Sequence, residues 1–168
     1  MNLEKVVLLG PMGVGKSTLG KIVAKKLGWK YLDNDLDMAT ISNKTIEQLS
    51  EIAVEDLHAL EANYILDVIS QNGPFIAGAA ASVIENPEVQ QALLNINSIY
   101  LSIPLEEIYK RTSAGTVGRQ AINSEVDIIK ERYLRRDPLY RKFARKTLKL
   151  SHNPTKDAEK LCELITQN

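Results

Sequence analysis

A single cysteine, Cys162, occurs in 168 residues. One thiol excludes a disulfide framework and a cysteine metal cluster, and its place in an amphipathic helical run reads as core packing. Net charge is also lacking, because 21 lysines plus arginines balance 21 aspartates plus glutamates. The global basic field that a polyphosphate backbone usually requires is therefore lacking, and nucleic acid is not an expected partner. No apolar run approaches the roughly 20 residues that span a bilayer, and no membrane partner is expected. The apolar stretch at residues 6–9 passes straight into a glycine loop instead of a small-residue cleavage site. Internal repeats, low-complexity tracts and linkers are missing too. These absences lead to the expectation of a cytoplasmic, monomeric protein.

What remains is 44% apolar and 25% charged, enough for one globular domain over residues 1–168 with a full core. Residues 5–9 are β-branched and leucine-rich, the pattern of a buried parallel strand. A helix follows over residues 16–27, where Leu19, Ile22, Val23 and Leu27 recur at helical spacing and Gly28 supplies the stop. Short strands are expected at residues 30–32, from Phe75 to Ala77, at residues 98–103 and at residues 147–150. Helices are expected at residues 45–69 with a break near Val54, at 86–94, at 104–112 with Pro104 at the first position, at 125–143 with an interruption at Asp137-Pro138, and at 154–166. Alternating strands and helices predict an α/β protein, a parallel sheet covered on both faces with ligands at the carboxyl ends of its strands. Residues 113–124, glycine-containing and without periodicity, read as a lid loop.

One motif carries chemistry outright. Gly10-Pro-Met-Gly-Val-Gly15-Lys16-Ser17 fits G-x-x-x-x-G-K-[ST] and lies between a predicted strand and a predicted helix, as the mechanism requires. Backbone amides from Gly10, Met12, Gly13, Val14, Gly15, Lys16, Ser17 and Thr18 would cradle phosphates, Lys16 would reach the β and γ phosphates, and Ser17 would hold magnesium. ATP with Mg2+ is the expected cofactor set. Beyond the second strand, Asp33-Asn34-Asp35 places two carboxylates at alternate positions, and the same pattern suits a solvated helix cap.

The phosphate loop, Asp33-x-Asp35, Leu57-His58-x-x-Glu61, the strand ending at Ala79-Ala80-Ala81, the Arg111 helix, the Arg119 lid and Arg136-x-Pro138-Leu139-Tyr140 follow one another in a familiar order and spacing. Over nearly its whole length the chain resembles shikimate kinases. The resemblance implies a three-layer P-loop kinase fold, a five-stranded parallel sheet in order 2-3-1-4-5, and a substrate-binding helical part at about residues 34–62. It also implies MgATP-dependent phosphorylation of a hydroxyl of a small molecule, shikimate to shikimate 3-phosphate. By the same resemblance Asp33 holds magnesium through water, and Asp35 binds the acceptor hydroxyls and orients or deprotonates the attacking oxygen. Arg111 packs on adenine, Arg119 swings over the transferring phosphate, and Arg136 binds the acceptor's carboxylate as a two-donor fork. Lys16, Asp35 and Arg119 then form the catalytic set.

Two acceptor-site elements depart from that pattern. His58 stands where the family carries a second carboxylate-binding arginine, and with an ordinary pKa near 6.5 it is mostly neutral at pH 7. Ala79, Ala80 and Ala81 replace three glycines, adding methyl groups to the acceptor wall and strain wherever a positive φ is needed. The lid's usual Arg-Pro pair is Arg119-Gln120 here. These departures leave open a different polyol, sugar acid or nucleotide as acceptor, or a nucleotide-binding module with little turnover.

Overall fold

The computed structural model describes residues 2–115 and 123–167. Its centre is β1 (Asn2–Leu9), a run whose last four side chains, Val6, Val7, Leu8 and Leu9, are at most 1% exposed. Successive strand side chains point to opposite faces. Val6 and Leu8 accordingly join one buried cluster with Leu19, Val23 and Leu161, while Val7 and Leu9 join another with Tyr64, Ile65 and Tyr140. A strand buried on both faces has helices above and below it, which makes three layers.

The sheet also contains β2 (Lys30–Asp33), β3 (Phe75–Gly78), β4 (Ile96–Ser102) and β5 (Lys146–Lys149), all parallel, in order β2-β3-β1-β4-β5. This is the order that the resemblance implies. One layer holds α1 (Lys16–Leu27), packed on α8 (Pro154–Thr166), together with α6 (Leu105–Gly115). The other holds α4 (Val54–Ser70), α5 (Pro87–Leu93) and α7 (Asn123–Phe143). Cys162 is half-buried against the first layer's cluster, in keeping with core packing. Among the described residues no helix is long and apolar enough to cross a membrane.

Register decides where chemistry can sit. Leu8 and Asp33 both pair with Gly78, and Leu9 pairs with Tyr100, so β1, β2, β3 and β4 reach their carboxyl ends along one edge. Gly10, Asp33 and Ala79 all emerge there. Two short helices, α2 (Asn34–Ile41) and α3 (Ile46–Ser50), follow β2.

Several expectations need correction. The helix α2 is missing from the sequence reading, because of Leu36, Met38 and Ile41 only Met38 is buried and no apolar stripe marks it. The helix at residues 104–112 starts at Leu105, with the Pro104 carbonyl accepting from the Glu107 amide, so proline precedes the helix. Of the residues read as a lid, 113–115 end α6 and 123–124 begin α7; residues 116–122, with Arg119, lie outside the described residues.

No interruption occurs at Pro138, which α7 carries in its interior. A proline there costs about 3 kcal/mol through a lost hydrogen bond and a clash, and both sides of the site resist the break. Asp137 accepts from the Tyr100 hydroxyl at 2.6 Å and from Arg141 Nε at 3.0 Å, a bond that spans the proline. Tyr140 stacks on Tyr100 with ring centroids 4.7 Å apart and donates to the Ala81 carbonyl at 2.7 Å.

Candidate active site

The loop after β1 turns on glycine. Gly10 has φ 149°, and a Cβ there would lie 2.9 Å from the Leu101 carbonyl oxygen, so neither the conformation nor the space admits a side chain. Gly15, also at positive φ, precedes α1 with no side-chain cap on the helix. First-turn amides are thereby left for an anion, on the positive end of the helix dipole. Lys16 is buried, and its Nζ donates to the carbonyls of Gly10 at 2.6 Å and Pro11 at 2.9 Å. Burial pulls its pKa down to about 8, against the opposing pull of Asp35 and Asp33.

Asp33 caps α2 and touches the phosphate loop at once. Its Oδ1 accepts from the amides of Asp35 at 3.0 Å and Leu36 at 3.2 Å, while Oδ2 accepts from the hydroxyls of Ser17 and Tyr31, each at 2.5 Å. Burial alone would raise this carboxyl, but the bonds from Ser17, Tyr31 and the two amides outweigh it and hold it below the ordinary carboxylate range. Asp33 is thus the helix cap that the pattern suggested, and its second oxygen is turned to the Ser17 hydroxyl at the same time. A hydroxyl beside an ionised carboxylate is an all-oxygen donor pair that suits a hard divalent cation such as Mg2+.

Asp35, two residues on, makes no side-chain hydrogen bond among the described residues. Asp35 is exposed, yet partial desolvation of its carboxyl raises its pKa, the positive charge of Lys16 lowers it, and Asp33 raises it. Lys16 in turn responds to Asp35, Asp33, Arg136 and Glu61, so these charges lie near one another. A free carboxylate opposite a phosphate-reaching lysine can orient or deprotonate a hydroxyl nucleophile.

The far wall is built from α4, α7 and the end of β3. Ala79, Ala80 and Ala81 are all buried; Ala79 continues the ladder by donating to the Leu8 carbonyl at 3.0 Å. None of the three has a positive φ, and Ala80 sits at φ −61°. The anticipated strain is not there. Ala79 and Ala80 belong to the core cluster, which absorbs their methyl groups; Ala81 opens a 3-10 turn, Ala81–Glu85. His58 lies half-buried on α4. Burial, then the Arg136 charge, pulls its pKa below the ordinary value, which keeps it neutral at pH 7. Arg136 is buried on α7 and donates through Nε to Glu85 Oε2 at 2.9 Å.

Arg111 extends from α6 to the phosphate loop, donating to the Val14 carbonyl at 2.9 Å. It also borders a cleft of about 300 Å³ lined by Ile103, Pro104, Lys149, Ser151 and His152 among others. That cleft is the next space along the carboxyl edge, of a size for a heteroaromatic base.

Four residues near the site were given no role by sequence reasoning, although Asn34 and Glu61 lie within the motifs quoted above. Tyr31 was detectable, since positions 31 and 33 of one strand share a face. Glu61 has its pKa pushed up to about 6 by burial and by Asp35, and accepts from Ser82 Oγ at 3.3 Å and Asn34 Nδ2 at 3.4 Å. Asn34 is buried with its Oδ1 unpartnered. Glu85 meets Arg136 across 51 positions of sequence, a separation that no local pattern reveals.

Phosphate on a backbone cradle with a lysine, and a carboxylate left free on the other wall, is the division of labour of a P-loop small-molecule kinase. A family model described as shikimate kinase matches residues 12–166, and the chain belongs to that family. It is 33% identical over 141 residues to a shikimate kinase from Macrococcus caseolyticus, covering 82% of each chain. With a shikimate kinase from Streptomyces avermitilis it shares 33% identity over 116 residues, 67% of this chain and 66% of the relative. The fold superposes on shikimate kinase from Acinetobacter baumannii in complex with shikimate, with a TM-score of 0.83 at 24% identity, covering 96% of this chain and 92% of that one. Members of the family take ATP as donor with Mg2+.

Proposed function

We propose that this chain transfers the γ-phosphoryl group of MgATP to shikimate, giving shikimate 3-phosphate and ADP. The observation that carries the reading is the phosphate loop itself, with Lys16 buried against the Gly10 and Pro11 carbonyls and Ser17 bonded to Asp33 beside it, where the charge of Asp35 also reaches Lys16. Lys16 and the loop amides take the β and γ phosphates, and adenine fills the cleft beside Arg111. Ser17 and Asp33 hold the magnesium, which when bound adds positive charge beside the phosphates. Asp35 orients the acceptor hydroxyl for in-line attack, Arg136 receives the acceptor's carboxylate, and Arg119 offsets the charge of the transferring group. The acceptor-binding part is residues 34–62. His58 and Ala79 to Ala81 complete the acceptor wall.

The same reading takes the chain as one domain working as a cytoplasmic monomer on a small molecule, without nucleic acid or membrane. Zero net charge supports only the absence of a polyanionic partner. One observation favours a competing acceptor class. His58 is neutral where the resemblance implies a second cation, which suits a polyol lacking a carboxylate. ADP release measured with MgATP across shikimate, sugar acids and neutral polyols separates the two. Highest kcat/KM on shikimate is expected; a clear preference for a neutral polyol would transfer the assignment to that class.

A further inference from the structure

The 3-10 turn that follows the alanines ends on Glu85, and this carboxylate is clamped between two arginines. Oε2 accepts from Arg136 Nε at 2.9 Å and Oε1 from Arg135 Nε. Arg136 is buried, whereas Arg135 is nearly half-exposed and also bonds Glu131 at 3.0 Å. A guanidinium offers a side edge, made by Nε and one Nη, and an end edge made by both Nη groups. Glu85 occupies the side edge of Arg136, and the Nη groups make no hydrogen bond among the described residues.

The other cations near that arginine are exposed, as Arg132 and Arg135 are, or engaged elsewhere. Asp35, Glu61 and Glu85 are carboxyl groups of the same wall, His58 is neutral, and Lys16 is committed to the phosphate loop. We infer that Glu85 is a specificity-determining residue that competes with the acceptor's carboxylate for Arg136, so that the site discriminates weakly between an acid acceptor and its uncharged counterpart. An incoming acid finds only the end edge, on an arginine whose charge a protein carboxylate already offsets. This inference rests on the shikimate reading for its probe.

Glu85→Gln keeps a carbonyl oxygen for Arg136 Nε and removes the competing charge. The acceptors compared are shikimate and its carboxamide, with KM and kcat measured for each and shikimate binding to the MgADP-loaded protein measured by calorimetry. Expected in Glu85→Gln is a KM for shikimate lower by about 10-fold, kcat within about twofold, and an unchanged KM for the carboxamide. Arg135→Gln, at an exposed position, leaves the whole charge of Glu85 on Arg136 and should move the shikimate KM upward. Opposite signs from the two variants are not produced by general loosening of the turn. If Glu85→Gln fails to fold, the Arg135→Gln result alone decides, and an unchanged or lower KM there overturns the inference. Equal shikimate dissociation constants in wild type and Glu85→Gln, or a gain shared by the carboxamide, also overturn it. Tighter shikimate binding in Glu85→Gln without ADP release in either protein supports the role of Glu85 and contradicts only the phosphoryl-transfer reading.

Discussion

At Gly78 an added Cβ would stand 2.6 Å from the Tyr31 hydroxyl and 3.3 Å from Asp33 Oδ2. Gly78→Ala should therefore displace Tyr31 from Asp33 and disturb the group that faces Ser17. Turnover is expected to fall about 10- to 100-fold, the usual cost of shifting a positioned group by about an ångström. Half-saturation by magnesium should rise; steady-state rates over a magnesium series check this, and unchanged values would mean that Asp33 does not need Tyr31. Glu61 gives a pH signature. Its folded pKa, raised to about 6, lies above its ordinary value near 4.5. The folded protein thus binds its proton first, and the cost of the charged form is present above about pH 6 and relieved as pH falls towards 4.5. Stability of the wild type relative to Glu61→Gln should increase as pH is lowered through that interval, read by denaturant unfolding; a flat or opposite difference contradicts the shift. At this scale the phosphate loop was legible because its glycines, lysine and serine are neighbours in sequence. Glu85 was not, because its meaning depends on Arg136, which only the folded chain brings near.

Between elements, the hydroxyl of Tyr140 joins α7 to the turn that carries Glu85. Tyr140→Phe leaves the Ala81 carbonyl buried without that donor, which costs about 1–3 kcal/mol. Thermal unfolding should register the loss, and acceptor KM should rise with it, since Arg136 and Glu85 sit on the two pieces that the bond ties together. A lowered Tm with unchanged KM would make the bond purely structural. The sequence pattern located α1 and α8 with the bounds seen in the fold, because both have apolar periodicity together with a glycine stop or a proline start. It missed α2 for want of an apolar stripe. It broke α7 at Pro138 because the contacts that outweigh the proline come from β4 and from the turn, remote in sequence.

As a whole, the molecule places the phosphate loop, Asp33 and Ala79 on one carboxyl edge, and alternating strands and helices made that edge foreseeable before any side chain was placed. The shape of the acceptor wall was less legible, since the methyl groups of Ala79 and Ala80, which looked like intrusions into the pocket, pack in the core cluster, while Ala81 opens the turn. MgATP should raise the Tm of the wild type, by mass action on the folded state, and should do so much less in Lys16→Met; equal shifts would remove Lys16 from the phosphate site. The most direct test is phosphorus NMR on one mixture of protein, MgATP and shikimate. The γ-phosphate signal should give way to a single phosphomonoester in step with ADP, and Asp35→Asn should all but abolish the change. ADP accompanied only by inorganic phosphate, or an undiminished rate in Asp35→Asn, would contradict the account.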